Sequence, residues 1–192
     1  MQGETLFSSV TTIVLGVAWA VVIFASEPPK GFRGIPWGAK VSQIAEDIES
    51  GRCSQDEICT YTRKQENLKI GAATVSSVSY GFYTDKFYFA KIAFHGRANL
   101  ERIEEALEHL YGRPSESGVH GEPYVNAGPW RRWNFAKVVV SVSYAGYFLP
   151  ADTGVLDYVY LPIQSEANSR AKQRADREKR ERLKKAAKDL AE

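Results

Sequence analysis

The stretch VSSVSYGFYTDKFYFAKIAF, residues 75–94, holds the strongest strand-turn-strand pattern of the chain. Apolar residues alternate with small or polar ones on both sides of Thr84-Asp85-Lys86, which is the period of a half-buried antiparallel hairpin. A three-residue loop would pair Tyr83 with Phe87 and gather the apolar residues on one face. The exposed face would carry Phe87, Phe89 and Lys91. The buried face would hold Val78, Tyr80, Phe82, Tyr88, Ala90, Ile92 and Phe94.

The composition is that of one globular domain with appendages: 192 residues, 44% hydrophobic and 25% charged. A net charge of +2 is too small to indicate nucleic-acid binding by itself. The basic excess lies in the tail, because Glu166–Glu192 contains ten Lys and Arg against six Asp and Glu.

An uncharged apolar run of twenty residues, Leu6–Ala25, comes first. As a helix it would be about 30 Å long, the thickness of a bilayer core, and it predicts contact with the inner membrane through residues 6–25. Residues 1–31 are therefore a membrane anchor or a cleaved signal segment with a linker, and the missing basic n-region favours the anchor. Orientation stays open, because Lys30, Arg33 and Lys40 follow the run and favour a cytoplasmic domain.

Residues 32–162 predict an α+β domain. Apolar stripes at helical spacing indicate one helix at 41–48, ended by Gly51, and a second at 100–111. We expect two helix-plus-three-strand units in one antiparallel sheet of about six strands, with both helices on one face, a membrane helix before the domain and a charged helix after it. Besides the hairpin, strands are expected at Ile58–Arg63, Trp130–Asn134, Val138–Tyr144 and Val155–Leu161.

Residues 163–192 predict the long charged helix. Acidic residues precede basic ones at i, i+4, which stabilises a solvated helix. Its apolar seam, Leu183, Ala186 and Leu190, is shorter than a coiled coil requires. We therefore expect a solvated helix that does not dock firmly on the domain.

Cys53 and Cys59 are the two cysteines of the chain, and they lack the further Cys or His spacing of a zinc site. A bridge between them would close a seven-residue loop. Disulfides persist in exported proteins and are rare in the cytosol, so a Cys53–Cys59 bond favours export against the positive flank. The alternative is two unpaired thiols in a cytosolic protein.

Short motifs rich in Gly and aromatic residues run from residue 32 to 161. They include Phe32-x-Gly34-Ile35-x-Trp37-Gly38, the aromatic hairpin, and Leu110-Tyr111-Gly112-x-Pro114. In these motifs the chain resembles small exported (periplasmic) bacterial domains, most of them of uncharacterised function. The resemblance implies export across the inner membrane, and it supplies no catalytic residue.

Candidate chemistry is sparse. His95, His109 and His120 have no local triad partners, and we expect them on the surface. No phosphate-binding glycine loop occurs. We therefore predict no enzyme, no metal and no cofactor. An acidic helix face, expected to be merely solvated, is formed by Glu101, Glu104, Glu105 and Glu108.

The most suggestive polar cluster is WRRW, residues 130–133. Stacking surfaces beside guanidinium groups are typical of single-strand nucleic-acid binders. The alternative is a strand with one Trp in the core and an Arg over the ring of the other. The exposed hairpin aromatics, with Tyr83, are either a partner patch or a surface that a loop or the tail covers. The candidate interaction surface comprises Phe87, Phe89, Trp130, Arg131, Arg132 and Trp133.

Three functions follow from these observations. The first is a non-enzymatic, membrane-anchored envelope protein with a periplasmic domain, an interaction or scaffolding module for a protein partner and not for specific nucleic acid. The second is a cytoplasm-facing tether whose basic tail binds anionic lipid or nucleic acid. The third is a hydrolase that acts on an envelope polymer.

Overall fold

The computed structural model describes residues 27–49, 51–54, 56–122, 125–146 and 152–190. These residues form a large antiparallel sheet, two small hairpins, a 3-10 turn at Val41–Ile44 and two α-helices, α1 at Arg97–Tyr111 and α2 at Leu161–Asp189. The strands are β1 Gly31–Phe32, β2 Ile35–Pro36, β3 Arg52–Cys53, β4 Ile58–Tyr61, β5 Lys69–Ile70, β6 Ala73–Thr74, β7 Ser77–Tyr83, β8 Lys86–His95, β9 Glu116–Glu122, β10 Val125–Asn134, β11 Val138–Ala145 and β12 Thr153–Tyr160.

The large sheet has eight strands among the described residues, in the order β3-β4-β7-β8-β12-β11-β10-β9. The prediction of about six strands is wrong for two reasons. The β3–β4 hairpin adds a short edge strand, and the polar stretch after α1 pairs with the long β10 to form the opposite edge strand, β9. A glycine-rich polar sequence can form an edge strand because one side of that strand stays in water.

The central hairpin turns through two residues. Tyr83 pairs with Lys86, and Thr84 and Asp85 have φ values of 44° and 69°, as a type I′ turn requires. The predicted three-residue loop is therefore wrong. The hairpin also contains a β-bulge, since Gly81 pairs with Phe89 but Phe82 pairs with Phe87. Tyr88 is the extra residue, and the bulge therefore changes which side chains of β8 lie on each face of the sheet.

One face of the sheet carries the main core. Helix α1 covers it through Leu100, Ile103 and Leu107, and the N-terminal hairpin covers it through Phe32 and Ile35. The sheet contributes the alternating side chains Val138, Val140, Val142 and Tyr144 of β11, Leu156 and Tyr158 of β12, and Ala90, Ile92 and Phe94 of β8.

The first predicted helix is wrong, because only Val41–Ile44 form a helical turn, of the 3-10 type, and Ile48 forms a β-bridge with Arg63. After that turn the backbone pairs with the segment that follows β4: Glu49 N donates to Thr62 O, and Lys64 N donates to Asp47 O. A stripe of eight residues makes a marginal helix in water, so these tertiary hydrogen bonds decide the conformation.

The expectation that both helices share one face is also wrong. Ile163 and Ala167, in the first two turns of α2, pack on Tyr83 and Tyr88 in a second cluster, on the face opposite α1. The bulge explains this position, because it turns Tyr88 away from the main core and leaves apolar surface for α2 to cover. The start of the charged helix is thus docked, contrary to prediction.

The distal half of α2 is exposed. Every residue from 175 to 190 faces solvent, including Leu183 and Leu190, and the described residues contain no coiled coil. We call residues 175–190 the basic arm. At 1.5 Å per residue it is about 24 Å long.

The membrane helix of the predicted fold is not supported. Within the described ranges, no helix combines the length and apolarity needed to cross a bilayer. The run at 6–25, on which the prediction of an anchor rested, lies outside these ranges.

Candidate interaction surfaces

The WRRW cluster is divided between the two faces of the sheet, because side chains alternate along β10. Trp133 is 1% exposed, lies in the main core, and its Nε1 donates to Gly112 O at 2.8 Å. Arg131 points to the same side. Its Nε lies 2.8 Å from Glu104 Oε1 of α1, and its Nη1 donates to Glu108.

The other two members face away from α1. The Arg132 guanidinium lies 5.5 Å from the ring centroid of Trp130 and its Nη1 is 3.4 Å from Glu116 Oε2. The structure therefore matches the alternative to a nucleic-acid binding site, in which one Trp lies in the core and an Arg lies over the ring of the other without a ligand.

The six residues of the predicted surface therefore do not form one patch. Phe87 is 0% exposed in the main core, so its assignment to an exposed face is wrong. Phe89 is half-buried beside Tyr88, at a ring distance of 4.9 Å, next to the docked start of α2. Two strands, β12 and β11, separate Phe89 from Trp130 and Arg132.

Glu104 differs from the solvated residue that its sequence position predicts. Its side chain is half-buried and paired with Arg131. Burial raises the pKa of the Glu104 carboxyl, and Arg131 acts in the opposite direction. The Glu104–Arg131 contact joins α1 to β10, so the role of Glu104 is structural. His95 and His109 are exposed.

The face of the sheet opposite α1 is covered by α2 only at one end. Its centre carries Lys91 and Asp157, whose Nζ and Oδ1 lie 4.0 Å apart, and the half-buried hydroxyl residues Ser141 and Ser143. Burial raises the pKa of the Asp157 carboxyl, while Lys91 lowers it. We call this surface the open face.

A polar network beside the main core was not foreseen. The Tyr80 hydroxyl donates to Glu66 Oε2 at 2.7 Å, and Arg33 forms an ion pair with the same carboxylate. Arg33 also donates to Lys69 O. Burial and the Glu66 contact raise the pKa of Tyr80 to about 12. Sequence alone offers no signal for this network, because its members lie far apart along the chain.

Cys53 and Cys59 face each other across the β3–β4 hairpin, and their Sγ atoms are 2.05 Å apart, a disulfide bond. The hairpin loop reaches α2, since Arg174 Nη1 lies 3.3 Å from Asp56 Oδ1. Thr84 N donates to Glu57 O, which ties the same loop to the central hairpin. The disulfide thus closes the loop that contacts the middle of α2.

Replacing both cysteines by serine is expected to lower the free energy of unfolding by about 2 kcal/mol, because the bond removes the closure entropy of a seven-residue loop. Chemical denaturation of the oxidised protein and the double variant measures this difference. Dithiothreitol should lower the stability of the wild type to that of the variant and leave the variant unchanged. Equal stability of the oxidised protein and the variant would contradict the expectation.

The comparisons with known proteins give little. No protein-family model matches the chain, and no curated protein matches it significantly. One similar solved structure is that of a DUF4309 family protein (YjgB) from Bacillus subtilis subsp. subtilis str. 168, with 14% identity over 69% of this chain and 86% of that chain, and a TM-score of 0.34. A TM-score of this size supports no argument about fold or function, so the resemblance to exported domains stays a prediction.

Proposed function

We propose that this protein is a non-enzymatic interaction module of the cell envelope, in which a disulfide-bonded sheet domain presents the basic arm to an acidic protein partner. The observation that carries the proposal is that α2 docks by its first turns and then runs fully exposed from 175 to 190. A helix held at one end positions its free end without further folding, which lowers the entropic cost of binding.

The chemistry of the arm supports an acidic partner. The arm carries seven basic residues against four acidic ones. Leu183 is 60% exposed and Leu190 is 89% exposed, seven residues apart on one helical stripe. An apolar stripe flanked by cations suits an acidic amphipathic surface, where a few apolar contacts give affinity and the charges give orientation.

The disulfide supports a location of the domain outside the cytosol. Such bonds are stable outside the cytosol, which in a bacterium means the periplasm or the cell surface. The ion pairs of Glu104 and Asp157 support a structural role for the half-buried carboxylates of the domain.

The test is photo-crosslinking in cells from a reactive residue at position 183, with position 141 on the open face as a second probe. We expect one protein adduct from position 183. Replacing Lys179, Lys184, Lys185 and Lys188 by Gln should weaken binding of that partner about fourfold or more, since each exposed ion pair contributes about 0.2–1 kcal/mol.

A matched control changes three of the four acidic residues of the arm. Asp176→Asn, Glu181→Gln and Asp189→Asn leave the helix and its cations in place, so partner binding should be kept or strengthened. Purified protein is also mixed with phosphatidylglycerol vesicles and with single-stranded DNA. Binding to either of these, with no adduct from position 183, would replace the proposal by the lipid or nucleic-acid tether.

A further inference from the structure

Helix α2 contacts the domain at two places before the basic arm begins. The first is the packing of Ile163 and Ala167 on the sheet face opposite α1. The second lies two turns further along the helix, where Arg174 Nη1 is 3.3 Å from Asp56 Oδ1 of the β3–β4 hairpin. This ion pair therefore lies at the point where the exposed arm starts.

The spacing of these contacts amplifies any tilt of α2. At 1.5 Å per residue, Arg174 lies about 10 Å from Ala167 and Leu190 about 35 Å from it. A tilt of about 10° around Ala167 would move Arg174 by about 2 Å and the end of the arm by about 6 Å. The contact between Asp56 and Arg174 thus has a large effect on the direction of the arm.

The position of Asp56 depends on the disulfide bond. The strands β3 and β4 are joined by two residue pairs, and the Cys53–Cys59 bond links one of them. A bond that closes so short a loop limits the conformations of the residues inside it, and Asp56 is one of these. When the bond is broken, this part of the chain regains that freedom.

The turn that contains Asp56 is also strained. Glu57 has a φ of 60°, a conformation that is unfavourable for a residue other than Gly and persists where the surrounding structure imposes it. The hydrogen bonds of the turn, from Ser54 N to Ile58 O and from Thr84 N to Glu57 O, lie in an exposed segment and compete with water. Loss of the covalent link therefore favours relaxation of the turn.

The disulfide is open to exchange with a dithiol reductant. Cys53 is exposed, and β3 is the edge strand of the large sheet in the described part of the chain. A thiolate of the reductant attacks Cys53 Sγ, the S–S bond breaks, and Cys59 leaves as a thiolate. The second thiol then displaces the Cys53 sulfur. The reductant leaves as a disulfide, and its two electrons and two protons remain on the cysteines as thiols.

We propose that the Cys53–Cys59 bond is a redox switch that sets the direction of the basic arm. In the disulfide form, Asp56 is fixed and holds α2 at Arg174. In the dithiol form, Asp56 is released, α2 tilts around Ala167, and the arm takes a wide range of directions. The inference rests on the proposed function, because an arm with a fixed direction binds its partner at a lower entropic cost.

The experiment measures the distance between spin labels at position 183 of the arm and position 105 of α1, by pulsed electron paramagnetic resonance on the full-length protein. The labels are attached to encoded ketone side chains, so that both cysteines stay free of label. We expect a narrow distance distribution in the oxidised protein, which dithiothreitol broadens or shifts by about 6 Å. An unchanged distribution, in a sample whose two cysteines are both alkylated after reduction, would overturn the proposal.

The two carboxylates that contact Arg174 provide a matched pair of variants. Asp56→Asn removes the contact between the hairpin and α2 and should broaden the distribution of the oxidised protein. Glu178→Gln removes a contact of 3.0 Å within the helix and should leave the distribution unchanged. Equal effects of the two variants would contradict the role of Asp56.

Two further measurements separate the switch from a general loss of structure. Labels at positions 105 and 141, both within the domain, should keep a narrow distribution after reduction, and broadening there would refute a switch that acts on the arm. Replacing both cysteines by serine should give the broad distribution with or without dithiothreitol. A narrow distribution in this double variant would also refute the switch.

Failure of the switch can be distinguished from failure of the proposed function, because the distances are measured without a partner. Photo-crosslinking from position 183 is repeated in the double serine variant, where the adduct yield should fall about threefold or more, since only a fraction of the arms then has the binding direction. Equal yields would contradict control of the arm by the bond. Absence of an adduct in the wild type would refute the proposed function, while the distances still decide the switch.

Discussion

Phe87→Ala is expected to lower the free energy of unfolding by about 3–5 kcal/mol, a large part of the roughly 5–15 kcal/mol that stabilises a domain. Phe87 is fully buried and contacts three aromatic rings, with centroids 5.0 Å away in Trp37, 5.3 Å in Phe82 and 6.0 Å in Tyr80. Removing the ring leaves a cavity that these rigid neighbours cannot fill. Urea denaturation of the variant measures the loss.

Phe89→Ala is the matched control on the same strand. Phe89 is half-buried on the opposite face, so removing its ring leaves a space that is open to solvent and not a closed cavity. The loss of unfolding free energy should therefore be distinctly smaller than for Phe87→Ala. The alternation of apolar and polar residues in the sequence places both Phe87 and Phe89 on the exposed face of the hairpin, so it predicts similar effects for the two variants. Equal and small losses in the two variants would mean that the hairpin follows the simple alternation and has no bulge.

Trp133→Ala is expected to cost about 3–5 kcal/mol as well. The indole is buried in the main core, and its N–H donates to the carbonyl of Gly112 at the end of α1. The substitution removes both the packing and this hydrogen bond. A fall in melting temperature with the same oxidised disulfide would locate the effect in the core.

Trp130→Ala separates the two halves of the WRRW cluster. Trp130 lies half-exposed on the open face with Arg132 above its ring. Its loss should cost less than half of the Trp133 effect, because an exposed cation–π contact contributes only about 0.5–1 kcal/mol. Comparable losses from the two tryptophans would contradict the division of the cluster between the faces.

Patterns that depend on near neighbours could be read from the sequence. The stripe Leu100, Ile103 and Leu107 is buried as predicted, since a helix brings these residues to one side wherever it packs. Leu110, one turn further, is 60% exposed, although the next residue, Tyr111, packs against the main core. Cys53 and Cys59 are close in sequence, so any tight turn brings them together.

Contacts between residues that lie far apart in the sequence could not be predicted from it. A small cavity between α2 and the disulfide hairpin is lined by Tyr83 of β7, Asp56 of that hairpin and Arg177 of α2. No spacing in the sequence joins residues so far apart, and each has an ordinary surface or core explanation by itself. The Arg33–Glu66–Tyr80 network has the same character, because its partners meet only after the N-terminal hairpin docks on the sheet.

The sequence by itself determined the positions of the central hairpin and of α1, the alternation of β11 and the helical nature of the tail, because local periodicity decides each of these. Only the tertiary structure decided which face Phe87 and Tyr88 occupy. Their faces depend on the bulge opposite Gly81, where an added Cβ would overlap the Phe89 ring, a cross-strand contact that no local pattern encodes. The side on which α2 docks follows from that bulge, because apolar surface is buried wherever the completed sheet leaves it uncovered.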